Sequence, residues 1–227
     1  MTTIAQLGFT NDLDPSKIAV GIVVAKGCDL DMSHPELEKN LADLLAERKG
    51  QENLPSVQET LRLGSRDMLR NGSYKPTGRG KPASEYLLRS AVNEKFPRIN
   101  TLVDINNYIS LKYMVPISLW DLDLAESTRF NFRLGAPDET FVFNQGGQTI
   151  DLKDLVIGCA ISEGDQLPIV NPIKDSLKTK TKPESTNIAA AVYYPNTANS
   201  EIPLSAILDD FASVLDVVSE NTATGII

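Results

Sequence analysis

Apolar residues run without interruption from Ile18 to Ala25 (IAVGIVVA), rich in β-branched side chains, and predict a buried strand. Ser33-His34-Pro35-Glu36 reads as a capping box with Ser33 as the cap, and the helix it opens carries Leu37, Leu41, Leu44 and Leu45 on one stripe before Gly50. A second helix is predicted from after Pro55 to about Leu69. Asn71 to Lys81 holds three glycines and Pro76, too many breakers for a regular element. Pro82 opens a third helix through Leu87 and Leu88 that closes before Phe96-Pro97, and a fourth runs from about Asn100 to Tyr113.

From Val115 onward the pattern becomes that of strands. Phe130–Leu134 and Thr140–Phe143 alternate, Asn144-Gln145-Gly146-Gly147 reads as a turn, and Leu155–Ala160 and Ile188–Tyr194 are buried-strand runs. Pro203 to Ser219 spaces Leu204, Ile207, Leu208, Phe211, Leu215 and Val218 as the stripe of a closing helix. Helices first and strands later, without regular alternation, predict an α+β fold in a single domain over residues 1–227.

The fourth helix has an unusual face. Beside the apolar stripe Leu102, Ile105 and Ile109 lies a second one of Val103, Asn106, Asn107 and Ser110. Solvated helix faces favour Lys, Glu or Gln over Asn. Two readings stay open: an internal hydrogen-bond network, or the wall of a polar pocket.

Charge changes the picture further. The chain carries a formal net charge of −8, yet residues 70–98 hold seven bases against two acids. Lys174, Lys178, Lys180 and Lys182 form a second basic cluster, with only Asp175 among them. Basic patches on an acidic body suit a short phosphate contact and argue against a broad DNA-binding groove. The alternative is solvated basic loops.

No apolar run is long enough to span a bilayer, so no membrane partner is expected. MTTIAQLGFTND lacks the charge-then-apolar pattern of a signal peptide. The two cysteines, Cys28 and Cys159, read as reduced, buried thiols of a cytoplasmic protein. No cysteine or histidine spacing suits a metal, and Asp29/Asp31 and Asp121/Asp123 read as turn or strand-edge pairs. The lone histidine, His34, reads as a surface helix-start residue.

Pro97-Arg98-Ile99-Asn100, Val103-Asp104, Asn107-Tyr108, the Pro116/Asp121 spacing and Asp154-Leu155-Val156-Ile157 carry a family resemblance. Residues 66–194 resemble the editing (B3/B4) domain of the bacterial phenylalanyl-tRNA synthetase beta subunit. The loop KPTGRGKPASEYLLR is similar to that of free-standing members. The resemblance implies a β-sandwich-like core of unusual topology, with the N-terminal helices and the C-terminal helix flanking it. It also implies a partner, an aminoacyl-tRNA 3′ end or a free amino acid, and no cofactor.

Carried over residue by residue, the family's Thr-Asn pair becomes Asn106-Asn107 and its histidine becomes Ser118. An Ala-Gly pair falls near Asn171-Pro172, and a glutamate that receives the substrate's hydroxyl falls near Ala191. These departures remove the polar partner that tyrosine discrimination needs. They leave ester hydrolysis through a positioned water open, with Asn106, Asn107 and Ser118 as the candidate catalytic set. Arg79, Lys81, Glu85, Asn171, Lys174 and Ser176 are the candidate substrate contacts, with Arg79 or Lys81 to hold a phosphate or carboxylate. Two functions stand: a trans-editing aminoacyl-tRNA deacylase, or a non-catalytic module binding an amino acid, a small anion or a tRNA end. At this length a synthetase is not expected.

Overall fold

The computed structural model describes residues 6–51 and 53–227; residues 1–5, where the segment read above for a leader begins, lie outside the described residues. Two four-stranded sheets face one another. The first has the order β1 (Gly8–Asn11), β4 (Arg129–Leu134), β7 (Val156–Ser162), β8 (Asp165–Val170). The second has the order β10 (Asn221–Ile226), β2 (Ile18–Lys26), β9 (Asn187–Pro195), β3 (Ile117–Asp121). A two-stranded ribbon, β5 (Thr140–Val142) and β6 (Thr149–Asp151), stands apart from both.

Ile18, Val20, Ile22 and Val24 of β2 meet Phe130 and Phe132 of β4 in the layer between the sheets. The alternate residues, Val23 and Ala25, belong to a second core on the outer face of the second sheet. That face is covered by α1 (Pro35–Arg48), α2 (Ser56–Asp67), α3 (Ala83–Val92), α4 (Thr101–Tyr113) and α6 (Leu204–Leu215). A strand buried on both faces has no polar side to show, which explains the unbroken run Ile18–Ala25. The close seat of α6 on β2 depends on Gly21, where an added Cβ would fall 2.7 Å from Leu208 Cδ2.

The helix starts are set by side chains. Asn100 Oδ1 accepts from Val103 N at 3.0 Å and caps α4. Asp121 accepts from Asp123 N and Leu124 N at 2.8 and 2.9 Å and caps the one-turn helix α5 (Leu122–Ala125). At α1 the expectation is corrected: the cap is His34, not Ser33, and His34 is buried rather than on the surface. Its Nδ1 accepts from Leu37 N at 3.2 Å and its Nε2 lies 3.1 Å from Val214 O. The buried ring is a structural cap that closes the first turn of α1 and reaches the backbone of α6.

Candidate functional site: a basic cavity

A cavity of about 880 Å³ lies between α2, the 78–82 loop, α3, the tip of the β5–β6 ribbon and the 173–180 loop. Among the described residues Glu85 is the one acid in its wall, against seven Arg or Lys side chains. Glu85 is already engaged: it accepts from Arg66 Nε at 2.8 Å, from Arg66 Nη2, and from Arg62 Nη1 at 3.3 Å. Glu59 holds the other side of Arg62, Nε to Oε2 at 2.8 Å. That leaves Arg79, Lys81, Arg89, Lys174 and Lys180, none of which forms an ion pair among the described residues. Five cations without an ion pair around one concavity produce a positive field that the net charge of −8 conceals.

The sequence builds each wall locally. Gly78 has φ of +55°, in the left-handed region, and begins a one-turn 3-10 helix that carries Arg79. Tyr74 pins the end of that turn, its hydroxyl donating to Gly80 O at 2.8 Å. Burial pushes the Tyr74 phenol up to about 12, so it stays a donor. Ala83 N donates to Pro172 O at 2.9 Å and ties the first turn of α3 to the opposite loop. In that loop Asn171 Oδ1 accepts from Ile173 N and Lys174 N, both at 2.9 Å. Ser176 Oγ then accepts from Lys178 N at 3.3 Å and starts the turn leading to Lys180. Asn171 and Ser176 are both buried and lie outside the cavity wall; they shape the loop that presents its lysines.

Lys174 and Lys180 converge on Phe143 from the ribbon tip. Lys174 Nζ lies 3.9 Å from the ring centre, and Lys180 Nζ donates to Phe143 O at 2.6 Å. Burial first, then the Arg79 and Lys180 charges, lower the pKa of Lys174. A cation crowded by other cations is relieved by an anion.

The remaining candidates occupy two other places. Ser118 is fully buried and sits opposite Ala191 across β3 and β9. Its Oγ donates to Asn171 O at 3.0 Å and lies 3.1 Å from the Tyr193 hydroxyl, which can donate to it in turn. Asp175 completes the cluster by accepting from Leu119 N at 3.2 Å and Asn171 N at 3.4 Å. Burial pushes the Asp175 carboxyl up to about 6, against the hydrogen bonds it accepts. The Tyr193 phenol is also raised well above its ordinary value, by burial first.

Asn106 and Asn107 lie on α4, outside the second sheet, whereas Ser118 follows Trp120, Ala191 and Tyr193 into the layer between the sheets. Asn106 Nδ2 is 3.5 Å from Asn107 Oδ1, and Asn106 Oδ1 is buried without a partner among the described residues. Among the described residues no hydrogen bond joins either asparagine to Ser118, and neither lines the basic cavity. The structure therefore gathers Arg79, Lys81, Glu85 and Lys174 in one place. It puts Asn171, Ser176 and Ser118 behind that wall and Asn106 and Asn107 elsewhere.

Sequence reasoning missed Arg62, Arg66, Tyr86 and Phe143 in the wall, and Tyr193 behind it. Among the described residues no group of His, Cys, Asp or Glu is placed to hold a metal ion, and no helix is long and apolar enough to cross a membrane. Burial pushes the Cys28 and Cys159 thiols up to about 11 and about 12, which makes them unreactive.

The profile of the B3/4 domain family matches residues 76–202, more than half of the chain. Over 80 residues the chain is 35% identical to the phenylalanine–tRNA ligase beta subunit of Streptococcus pneumoniae, covering 35% of this chain and 10% of that one. Over 120 residues it is 29% identical to the same subunit of Aster yellows witches'-broom phytoplasma, covering 52% of this chain and 14% of that one. The matched segments span a small fraction of these relatives' length.

Proposed function

We propose, from the premise that this chain belongs to the B3/4 domain family, that its basic cavity binds the 3′ end of an aminoacyl-tRNA. The observation that carries the reading is the set of five cations, Arg79, Lys81, Arg89, Lys174 and Lys180, that form no ion pair among the described residues and stand around one concavity of an acidic protein. Phosphates of a flexible RNA end are the anions such a field suits: several charges, spaced along a chain, each needing one contact. The similarity to phenylalanine–tRNA ligase beta subunits supports tRNA as the source of that end.

Trans-editing, the hydrolysis of a mischarged aminoacyl ester, is the second reading. One observation favours it. Among the described residues nothing pairs the buried carbonyl oxygen of Asn106, which stands beside the half-buried Asn107 as an acceptor able to orient a water. Ser118, fully buried and engaged on both sides, contributes by positioning the 171–175 loop.

The test is a panel of correctly charged and mischarged tRNAs, with binding and loss of the amino acid followed together. Binding without hydrolysis supports the module. Selective hydrolysis that Asn107→Ala abolishes supports the deacylase. Neither binding nor hydrolysis across the panel contradicts both.

A further inference from the structure

Tyr86 is 66% exposed, yet it stands in the wall of the basic cavity rather than on open surface. Its ring and hydroxyl make no hydrogen bond or ring contact among the described residues. In a concave wall, an exposed ring that the protein itself does not engage is a face offered to a ligand. Arg89 is three residues further along α3, also exposed and in the same wall. Residues three apart on a helix are neighbours, about 5–6 Å between Cβ atoms, so a flat apolar ring and a guanidinium stand side by side. Phe143, the other aromatic of this wall besides Tyr86, already has Lys174 over its ring.

A ring beside a cation is what one nucleotide requires: a π-face for the base and a charge for its phosphate. A bare polyanion has no use for the ring. We propose that Tyr86 is a stacking platform for an unpaired base at the RNA's 3′ end, with Arg89 holding the adjoining phosphate. The cavity then reads a nucleotide and not charge alone. This rests on the reading of the cavity as an RNA-end site.

The experiment is a fluorescence-anisotropy titration with a short single-stranded oligoribonucleotide and with its counterpart lacking the 3′-terminal base. Inorganic tripolyphosphate, titrated calorimetrically, reports the cations alone. Tyr86→Ala is expected to weaken the intact oligonucleotide on the order of ten-fold and Tyr86→Phe by less than about two-fold, as for loss and retention of one base–aromatic stack. The abasic oligonucleotide should bind the native protein and Tyr86→Ala alike. Tripolyphosphate binding should be unchanged in both variants, which also shows that they fold. Equal binding of the intact oligonucleotide by native protein and Tyr86→Ala overturns the stacking role while leaving the RNA-end reading in place. Absence of oligonucleotide binding by native protein that still binds tripolyphosphate overturns both.

Discussion

Lys174 holds its ammonium nitrogen 3.9 Å from the centre of the Phe143 ring, facing a π-cloud instead of a carboxylate. The ring supports the charge without neutralising it. That distinction separates Lys174 from Arg62 and Arg66 of the same cavity, whose charges are taken up by Glu59 and Glu85 in a structural ion-pair network.

Because burial and the neighbouring Arg79 and Lys180 charges lower the Lys174 pKa, Lys174 loses its proton earlier than an ordinary lysine as pH rises. Anion affinity should therefore decline on the alkaline side. Lys174→Arg, whose guanidinium stays charged, should resist that decline. Tripolyphosphate titrations of both proteins from about pH 7 to about pH 10 would show it, and parallel pH profiles would contradict it.

If Lys81 and Lys174 each neutralise one phosphate, the double variant Lys81→Ala, Lys174→Ala should bind RNA more weakly and with less salt dependence. The slope of log affinity against log salt should become shallower by roughly 1 to 1.5. Binding curves at several potassium chloride concentrations read this directly. An unchanged slope would place the phosphates elsewhere.

The motif Pro97-Arg98-Ile99-Asn100 has a structural account independent of any ligand. Asp104 is buried and accepts from Arg98 Nε at 2.7 Å and Ile99 N at 3.0 Å, while Arg98 also reaches Glu38. Arg98→Ala leaves that buried carboxylate short of its cation and should lower unfolding free energy by about 1–3 kcal/mol. Urea unfolding measures it. RNA affinity of the folded fraction should not change.

Asp175 gives the fold a pH signature. Its carboxyl is raised from 3.8 to about 6, so the folded protein holds this proton more firmly than the unfolded chain does. The stabilisation from that proton is complete below the unfolded value and is lost as pH rises through about 6. Asp175→Asn keeps an acceptor oxygen but has no proton to lose. Its melting temperature relative to the native protein should rise between about pH 4 and about pH 7. A constant difference would show that Asp175 titrates normally.

Much of this fold was legible because its central elements show strong patterns. β2, flanked by β10 and β9, declared itself through an unbroken apolar run, and α6 through one apolar stripe. β1, β8 and β10 went unread, and all three are sheet edges. Asp165-Gln166-Leu167 begins β8 with three exposed residues, and Asn221–Ile226 of β10 buries none. Such strands are held by backbone pairing to one neighbour, which leaves little trace in side-chain pattern.

The cavity was half legible for a comparable reason. Local charge pointed to Arg79 and Lys81 and, nearly a hundred residues further along the sequence, to Lys174, which meets them only through the fold. Arg62 and Arg66 lie three and seven residues after Glu59 on α2, the spacing of ordinary helix-surface ion pairs, and nothing along the chain sets them apart. Asn106 and Ser118 are placed on opposite faces of one sheet, which no spacing along the chain reveals.

The measurement closest to the central claim is the equilibrium affinity for an aminoacyl-tRNA and for the same tRNA trimmed of its 3′-terminal nucleotides. It should be made with native protein and with Lys81→Glu, Lys174→Glu. Trimming the RNA and reversing the two charges should each weaken binding by about ten-fold or more, and their combination should add little further loss. Trimmed tRNA that binds as tightly as intact tRNA, or a charge-reversed protein that binds unimpaired, would contradict the assignment of this cavity to an RNA 3′ end.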